Sequence, residues 1–395
     1  MKHNSPASDV VVSETVITKN EQTCRVLIGD CIESMRLMQD QSVHCCVTSP
    51  PYYALRDYGV DGQIGLEQTP EQFIQKLVEV FREVKRVLRD DGVLWVNIGD
   101  SYAGSGKGAW ANKDGGQKEV YIPDPQSPQS KLPKVPDGCK PKDLIGIPWM
   151  LAFALRTDGW YLRQDIIWNK PNAMPESVRD RCTKAHEYVF LLSKSPRYFY
   201  DYEAIKEPAN LTGKGNANTF RGGAYVHGVT FNNSEGGNRT VSGNTRANRN
   251  SFKREGSKRE QAIPSQSYGT HRSERDESAW DISMKNKRSV WTVATKGYKA
   301  AHFATFPPEL IEPCILAGCP EGGVVFDPFG GSGTTAGVAI KHGRNAVLCE
   351  LNAEYAELIP ARIDSIVDAK PKQAKQKAEQ DQLLDSYTID MFANL

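Results

Sequence analysis

Apolar positions along the chain fall into short β-branched runs separated by longer stretches at helical spacing. Arg25 to Gly29 reads as a strand, followed by a short helix carrying Ile32, Met35 and Leu37. Val43 to Thr48 is a second buried strand, stopped by Pro50-Pro51, which a central strand cannot accommodate. From Thr69 to Leu88, the residues Phe73, Leu77, Val80, Phe81, Val84 and Leu88 recur at helical spacing, with Thr69 as N-cap, Pro70 at the first helical position and Asp91-Gly92 as the close. Val93 to Ile98, Leu162 to Trp168, Tyr188 to Leu192, Val324 to Phe326 and Ala346 to Cys349 read as further strands. Leu144 to Arg156, Pro308 to Leu316, Thr334 to Lys341 and Ala353 to Val367 read as helices. Strand and helix alternating at both ends of the chain predict one α/β domain on a doubly wound, Rossmann-like mixed sheet.

Two stretches break this rhythm. Residues 103–142 are rich in Gly, Pro, Lys and Ser and are too long for a routine connection. Residues 206–288 lose apolar periodicity and fill with Asn, Gly, Ser and Arg. There fifteen Lys and Arg face eight Asp and Glu, an excess of seven, so the rest of a chain whose total is +1 sums to about minus six. A basic module within an acidic remainder is the footprint of polyanion contact. The predicted organisation is a disordered 1–22, a first part of the domain at 23–205, the basic insertion at 206–288, the second part at 289–367 and a charged tail at 368–395.

Nine cysteines at irregular spacing, with no C-x-x-C pair, argue against a zinc site or a disulfide framework and suit a reducing cytoplasm. Met1 to Gln22 is polar, unlike a signal peptide, and no run of eighteen apolar residues predicts a membrane span.

Two constellations carry chemistry. The first is Val324-Val325-Phe326-Asp327-Pro328-Phe329-Gly330-Gly331-Ser332-Gly333-Thr334-Thr335, a buried strand ending in an acid and a glycine-rich turn that opens a helix. Its glycines let backbone approach a ligand closely. The next strand ends at Glu350, roughly twenty residues on, where nucleotide-binding α/β folds place an acid that grips ribose hydroxyls. No Lys follows Gly333, and G-x-G-x-x-G is not met, so a cationic, phosphate-free nucleoside fits better than a nucleotide phosphate. The second is Thr48-Ser49-Pro50-Pro51-Tyr52. Ser49 offers a side-chain oxygen, Pro50 an uncommitted carbonyl and Tyr52 a flat face: two acceptors for an aromatic amine and a ring to stack on its base.

Together these residues resemble the DNA amino-methyltransferases, in which an S/D/N-P-P-Y motif holds the target amine and a D-P-F-x-G-x-G-T motif binds S-adenosylmethionine. The catalytic motif comes first here, an order that resembles the permuted beta group. The resemblance covers roughly residues 23–205 and 289–367. It implies a circularly permuted class I methyltransferase fold, S-adenosylmethionine as cofactor without a metal, and transfer of a methyl group to adenine N6 or cytosine N4 of a flipped base. Ser49, Pro50, Pro51 and Tyr52 are the implied catalytic residues. The implied cofactor residues are Asp30, Thr48, His302, Phe303, Thr305, Phe306, the run Asp327, Pro328, Phe329, Gly330, Gly331, Ser332, Gly333 and Thr334, and then Glu350 and Leu351. Tyr53, Trp168, Lys170, Arg179, Arg181 and His186 are expected to line the base pocket, and Arg246, Arg249, Lys253 and Arg254 to meet DNA. Ser before the prolines is more associated with cytosine, and Asp or Asn with adenine; both bases stay open. The resemblance further implies double-stranded DNA as partner, a homodimer and a place in a bacterial or phage-infected cytoplasm near the nucleoid; a cognate restriction enzyme, a stand-alone regulatory role and a phage-borne role all stay open. An RNA or protein-amide methyltransferase and a non-catalytic DNA-binding module are the competing classes. Cys45 and Cys46 read as core, since this chemistry needs no cysteine adduct.

Overall fold

The computed structural model describes residues 12–55, 59–60, 62–104, 135–209, 284–298 and 305–369. The chain divides into two compact units, residues 1–205 with 287–395, and residues 206–286.

In chain order the larger unit contains β1 (Ser13–Lys19), β2 (Gln22–Ile28), α1 (Cys31–Arg36), β3 (Val43–Thr48), α2 (Pro70–Val87) and β4 (Leu88–Ile98). There follow α3 (Ile147–Thr157), β5 (Tyr161–Asn169) and β6 (His186–Ser193). The second unit contributes β7 (Glu207–Pro208) and β8 (Met284–Lys285), a short antiparallel ladder with Lys285 and Glu207 paired at 3.5 Å. The larger unit resumes with β9 (Val290–Thr292), α4 (Pro308–Gly318), β10 (Val324–Asp327), α5 (Thr334–Lys341), β11 (Asn345–Glu350), α6 (Ala353–Ala356) and α7 (Ile359–Val367).

Nine strands form one sheet in the order β1-β2-β11-β10-β3-β4-β6-β5-β9. The central run β2-β11-β10-β3-β4 is parallel throughout. β6 joins antiparallel to both β4 and β5. Strand alternation divides two apolar cores between the faces. Cys46, Leu94, Val96, Phe326 and Val347 face one core, with Phe73, Leu77, Phe81 and Leu151 from α2 and α3. Cys45, Val47, Val93, Trp95, Val325 and Leu348 face the other, with Ile315, Val338 and Ile363 from α4, α5 and α7. Helices on both faces bury a parallel sheet, as the α/β reading expects. The two cores also explain Cys45 and Cys46, whose thiols burial raises well above their ordinary range, which disfavours the thiolate that a cysteine adduct would need.

Three expectations change. First, the segment to residue 22 is not all disordered: β1 pairs with β2 from Ser13↔Ile28 to Lys19↔Gln22. Asn20 and Glu21 turn between them with φ of 52° and 67°, the pair of positive angles that a two-residue hairpin of matching twist requires. Second, α2 ends before Asp91-Gly92: Leu88 already has ψ 138°, and Gly92 is a strand position where a Cβ would lie 2.9 Å from the His44 carbonyl. Third, the helix expected over Ala353 to Val367 breaks into α6 and α7, with Pro360 in the first turn of the second. Most of the 103–142 loop, most of the basic insertion and most of the charged tail lie outside the described residues.

Candidate active site

Parallel strands bring their carboxyl ends to one edge of a sheet, which is where ligands of open α/β folds bind. Here that edge collects Asp30 after β2, Ser49 after β3, Asp327 at the end of β10 and Glu350 at the end of β11. A cavity of about 370 Å³ opens there. The proline motif lies on its wall as Ser49, Pro50, Pro51 and Tyr52. The glycine turn lies on the same wall as Pro328 to Ser332, with Thr334 beyond. Asp30, Glu350, Leu351, Thr305 and Phe306 also face it, as do Trp168 and Lys170.

At two of its glycines the turn has no room for a side chain. A Cβ on Gly330 would come within 2.9 Å of Leu348 Cβ, and one on Gly333 within 2.7 Å of Ile359 Cγ2. Gly331 and Gly333 also take φ of 52° and 86°, which other residues adopt only under strain. Glu350 fastens the turn: its Oε2 accepts the Gly331 N–H at 2.7 Å and its Oε1 the Asn352 N–H at 2.9 Å. Burial pushes its carboxyl up to about 7 despite those bonds. Ser332 Oγ is buried on this wall with no hydrogen-bond partner among the described residues. Asp30 caps α1, its Oδ1 accepting the N–H groups of Ile32 at 2.9 Å and Glu33 at 3.1 Å.

Two residues expected to touch the cofactor do something else. Asp327 is 1% exposed and absent from the cavity wall. Its Oδ1 accepts Thr48 Oγ1 at 2.6 Å and the Phe329 N–H at 3.0 Å, while Oδ2 accepts Thr335 Oγ1 at 2.7 Å. Asp327 and Thr48 therefore lock the proline motif to the glycine turn from behind. Burial pushes the Asp327 carboxyl up to about 7, against the lowering effect of its three hydrogen bonds. Thr335 gives no signal in the sequence beyond its place after Thr334.

The base-pocket expectations divide. Trp168 donates Nε1–H to the Val293 carbonyl at 2.8 Å, and Lys170 Nζ lies 4.2 Å from the centre of its ring. Tyr53 leaves the pocket: it is 3% exposed, with its ring 5.6 Å from that of Phe73. His186 packs its ring edge-on against Tyr188 at 5.4 Å. Arg181 pairs with Glu176 and covers the Tyr102 ring at 3.8 Å, and Arg179 is exposed; neither lies on the cavity wall. His302, Phe303, Arg246, Arg249, Lys253 and Arg254 lie outside the described residues.

Asn97 is the residue that sequence reasoning missed; Glu187 belongs to the segment His186-Glu187-Tyr188, which resembles a base-pocket segment of the DNA amino-methyltransferases. Glu187 Oε2 accepts the Tyr52 hydroxyl at 2.7 Å and Asn97 Nδ2 at 3.3 Å, and Oε1 holds Lys170 Nζ. The signal was parity: Glu187 is the register partner of Trp168, and Val189 that of Asn97, so the three share the sheet face that His186 leaves. Tyr52 is thus held at its hydroxyl, and its ring rests on Gly99, where a Cβ would lie 2.7 Å from Tyr52 Cε2. Gly99→Ala is expected to push the ring into the cavity, raising the KM for the acceptor at least about tenfold while cofactor affinity, read by calorimetry, stays within about twofold. Equal losses in both would contradict this placement.

The carboxyl edge of the sheet thus joins a glycine turn and a Ser-Pro-Pro-Tyr segment on one cavity wall, the arrangement of an open α/β protein with a ligand site at its strand ends. The comparisons place it further. A model of the DNA methylase family, of the N6/N4 kind, matches residues 43–360. The Type II methyltransferase M.SmaI of Serratia marcescens is 40% identical over 362 residues, spanning 92% of this chain and 98% of that protein. M.Cfr9I of Citrobacter freundii, also a Type II methyltransferase, is 42% identical over 338 residues, spanning 85% and 86%. The solved PvuII DNA methyltransferase (cytosine-N4-specific) aligns over 88% of this chain and 93% of its own at 15% identity, with a TM-score of 0.49. The chain belongs to the DNA methylase family of N6/N4 type, and is a DNA methyltransferase that uses S-adenosylmethionine.

Proposed function

We propose that the chain methylates the exocyclic amine of adenine or cytosine in a base rotated out of duplex DNA, with Ser49 and the Pro50 carbonyl accepting the two amine N–H groups and Tyr52 supporting the ring. The observation that carries this reading is the single cavity walled by both motifs, with Asp327 and Thr48 fixing one motif to the other. A base inside a duplex cannot reach such a wall, so the nucleotide must leave the stack.

The residues present fit S-adenosylmethionine. Gly330 and Gly333 have no room for side chains, Ser332 Oγ is buried with no partner among the described residues, and the flanking acids Asp30 and Glu350 suit a cationic nucleoside. Glu350 would accept ribose hydroxyls, and the turn would pack against the rest. When bound, S-adenosylmethionine supplies a methyl group already activated by its sulfonium.

The chain's own task is then alignment. The amine lone pair of a base is delocalised into the ring. Two acceptors at Ser49 Oγ and the Pro50 carbonyl favour a pyramidal nitrogen with that pair freed, and they stabilise the positive charge that grows on it. Ser49 orients the amine, and the proton leaves to water.

Glu350 gives this half of the site a pH dependence. Its carboxyl, pushed up to about 7, is ionised above that value and protonated below it. Hydroxyl donors favour the ionised form, so cofactor affinity is expected to weaken as pH falls through 7, with protons released on binding below it. Calorimetry in buffers of different ionisation enthalpy reads both effects. Affinity that is flat from about pH 6 to 8, or that is unaltered in its pH slope by Glu350→Gln, contradicts the assignment.

The basic segment 206–288 is the proposed recognition region, its Lys and Arg meeting phosphates and its Asn, Gln and Tyr meeting base edges. The relatives named above are Type II methyltransferases. The chain is by the same proposal the protective partner of a restriction nuclease, working as a homodimer on cytoplasmic DNA. Digestion of DNA carrying its methylation by candidate nucleases tests that role: blocked cleavage supports it and unaltered cleavage by every cognate candidate opposes it.

A further inference from the structure

We propose that the pocket selects cytosine, and that Lys170, held in place by Glu187, makes the selection. The inference rests on the reading above, in which the amine lies at Ser49 and Pro50 and the ring lies over Tyr52.

Lys170 is tied to the hydroxyl end of the Tyr52 ring through Glu187. The Tyr52 hydroxyl donates to Glu187 Oε2 at 2.7 Å, and the other oxygen of the same carboxylate holds Lys170 Nζ. Ser49 and Pro50 join the tyrosine at its backbone, and Lys170 is joined to its hydroxyl end through Glu187. All of these residues face one cavity. A base whose amine is at the first end and whose ring follows Tyr52 runs the remainder of its pairing edge toward the ammonium.

That ammonium has donors to give. It carries three N–H groups, and Glu187 takes one. The Trp168 ring covers it at 4.2 Å, and among the described residues no second acceptor claims it. Its side chain is only 18% exposed, so water is a poor substitute partner. Glu187 does not compete for the amine, because one of its oxygens is committed to Lys170 and the other to Tyr52 and Asn97.

The edges of the two bases answer this arrangement differently. Reading from the amine, cytosine presents a donor, the acceptor N3 and the acceptor O2. Adenine presents a donor, the acceptor N1 and then a carbon-bound hydrogen. A cationic donor beyond the ring nitrogen meets an oxygen in cytosine and a C–H in adenine. With adenine the ammonium is desolvated without repayment, the situation in which a site discriminates most strongly.

The test uses the full chain, unmethylated bacterial DNA and S-adenosylmethionine, followed by digestion and mass spectrometry of the nucleosides. N4-methylcytosine without N6-methyladenine is expected. Lys170→Met is expected to lower kcat/KM for DNA at least about tenfold, with cofactor affinity by calorimetry within about twofold. Because Lys170→Met leaves the Glu187 charge unpaired, the charge-balanced double variant Lys170→Met/Glu187→Gln is measured beside it and is expected to show the same loss, and Lys170→Arg to recover part of it. N6-methyladenine as the product overturns the selection and leaves the proposed function standing. The absence of any methylated nucleoside overturns both. N4-methylcytosine formed by the double variant at a rate within about threefold of the unaltered protein overturns the role of Lys170.

Discussion

Ser49→Ala is expected to lower the turnover of methyl transfer by about a hundredfold while leaving the dissociation constant of S-adenosylmethionine within about twofold. The hydroxyl lies on the cavity wall, and among the described residues no protein group takes it. Its loss therefore leaves no buried partner stranded and disturbs no part of the fold. What goes is one of two acceptors for the amine, at the place where charge builds up during transfer. Such an interaction strengthens toward the transition state, so its removal appears in kcat more than in binding. Single-turnover transfer with saturating DNA, set beside calorimetry of the cofactor, separates the two. Full turnover in Ser49→Ala removes the catalytic assignment; a matching loss of cofactor affinity moves Ser49 into the cofactor half.

Asp327→Ala is expected to act on stability first. The substitution leaves Thr48 Oγ1, Thr335 Oγ1 and the Phe329 N–H without their shared acceptor in a site that is 1% exposed. Buried donors left unmade cost about 1–3 kcal/mol each, and relaxation recovers part, so a loss of about 2–5 kcal/mol in denaturant unfolding is expected. Asp327→Asn is expected to retain most of it. With its pKa raised to about 7, the carboxyl is already half neutral near that pH. Asn Oδ1 replaces the acceptor for Thr48 and Phe329, and Nδ2 donates to Thr335, whose hydroxyl then serves as acceptor. If Asp327→Ala instead unfolds at the same denaturant concentration and merely weakens the cofactor, Asp327 is a ligand contact and its place behind the wall is wrong.

The contrast between these two residues explains what the sequence could carry. Asp327 and Ser49 both stand at the carboxyl ends of buried strands, and both belong to motifs whose existence, order and neighbouring strands are readable from residue type alone. The glycine turn is readable because its constraint is local: Gly330, Gly331 and Gly333 are where backbone must lie against Leu348 and Ile359 or take positive φ. The helix after it, Thr334–Lys341, falls where the apolar spacing puts it. The direction of a side chain at a strand end is not local. Thr48 and Asp327 turn toward each other because β3 and β10 are adjacent and parallel, a fact of topology that no single segment contains. The same holds for Tyr53, which leaves the pocket for Phe73 of α2, and for Glu187, whose partners come from β3's exit, β4 and β5. β1 was hidden for another reason. As an edge strand with exposed Ser13, Glu14 and Thr15, it shows no apolar face to be recognised, and its hairpin turn is Asn-Glu in place of a glycine pair.

Much of the stability of the site thus comes from contacts behind the cavity wall, and its chemistry from groups left free on it. Glu187 belongs to both, since it spends its charge on Lys170 and its geometry on Tyr52.

The central claim is that both motifs serve one transfer, from S-adenosylmethionine to a base amine in DNA. Its most direct test is to incubate the protein with S-adenosylmethionine labelled in the methyl group and, in parallel, with unmethylated duplex DNA, total RNA and total protein. Label is expected in the duplex DNA alone, retained through alkali and lost with Tyr52→Ala. Label in RNA or protein in place of DNA, or equal labelling of DNA by the Tyr52→Ala variant, would contradict it.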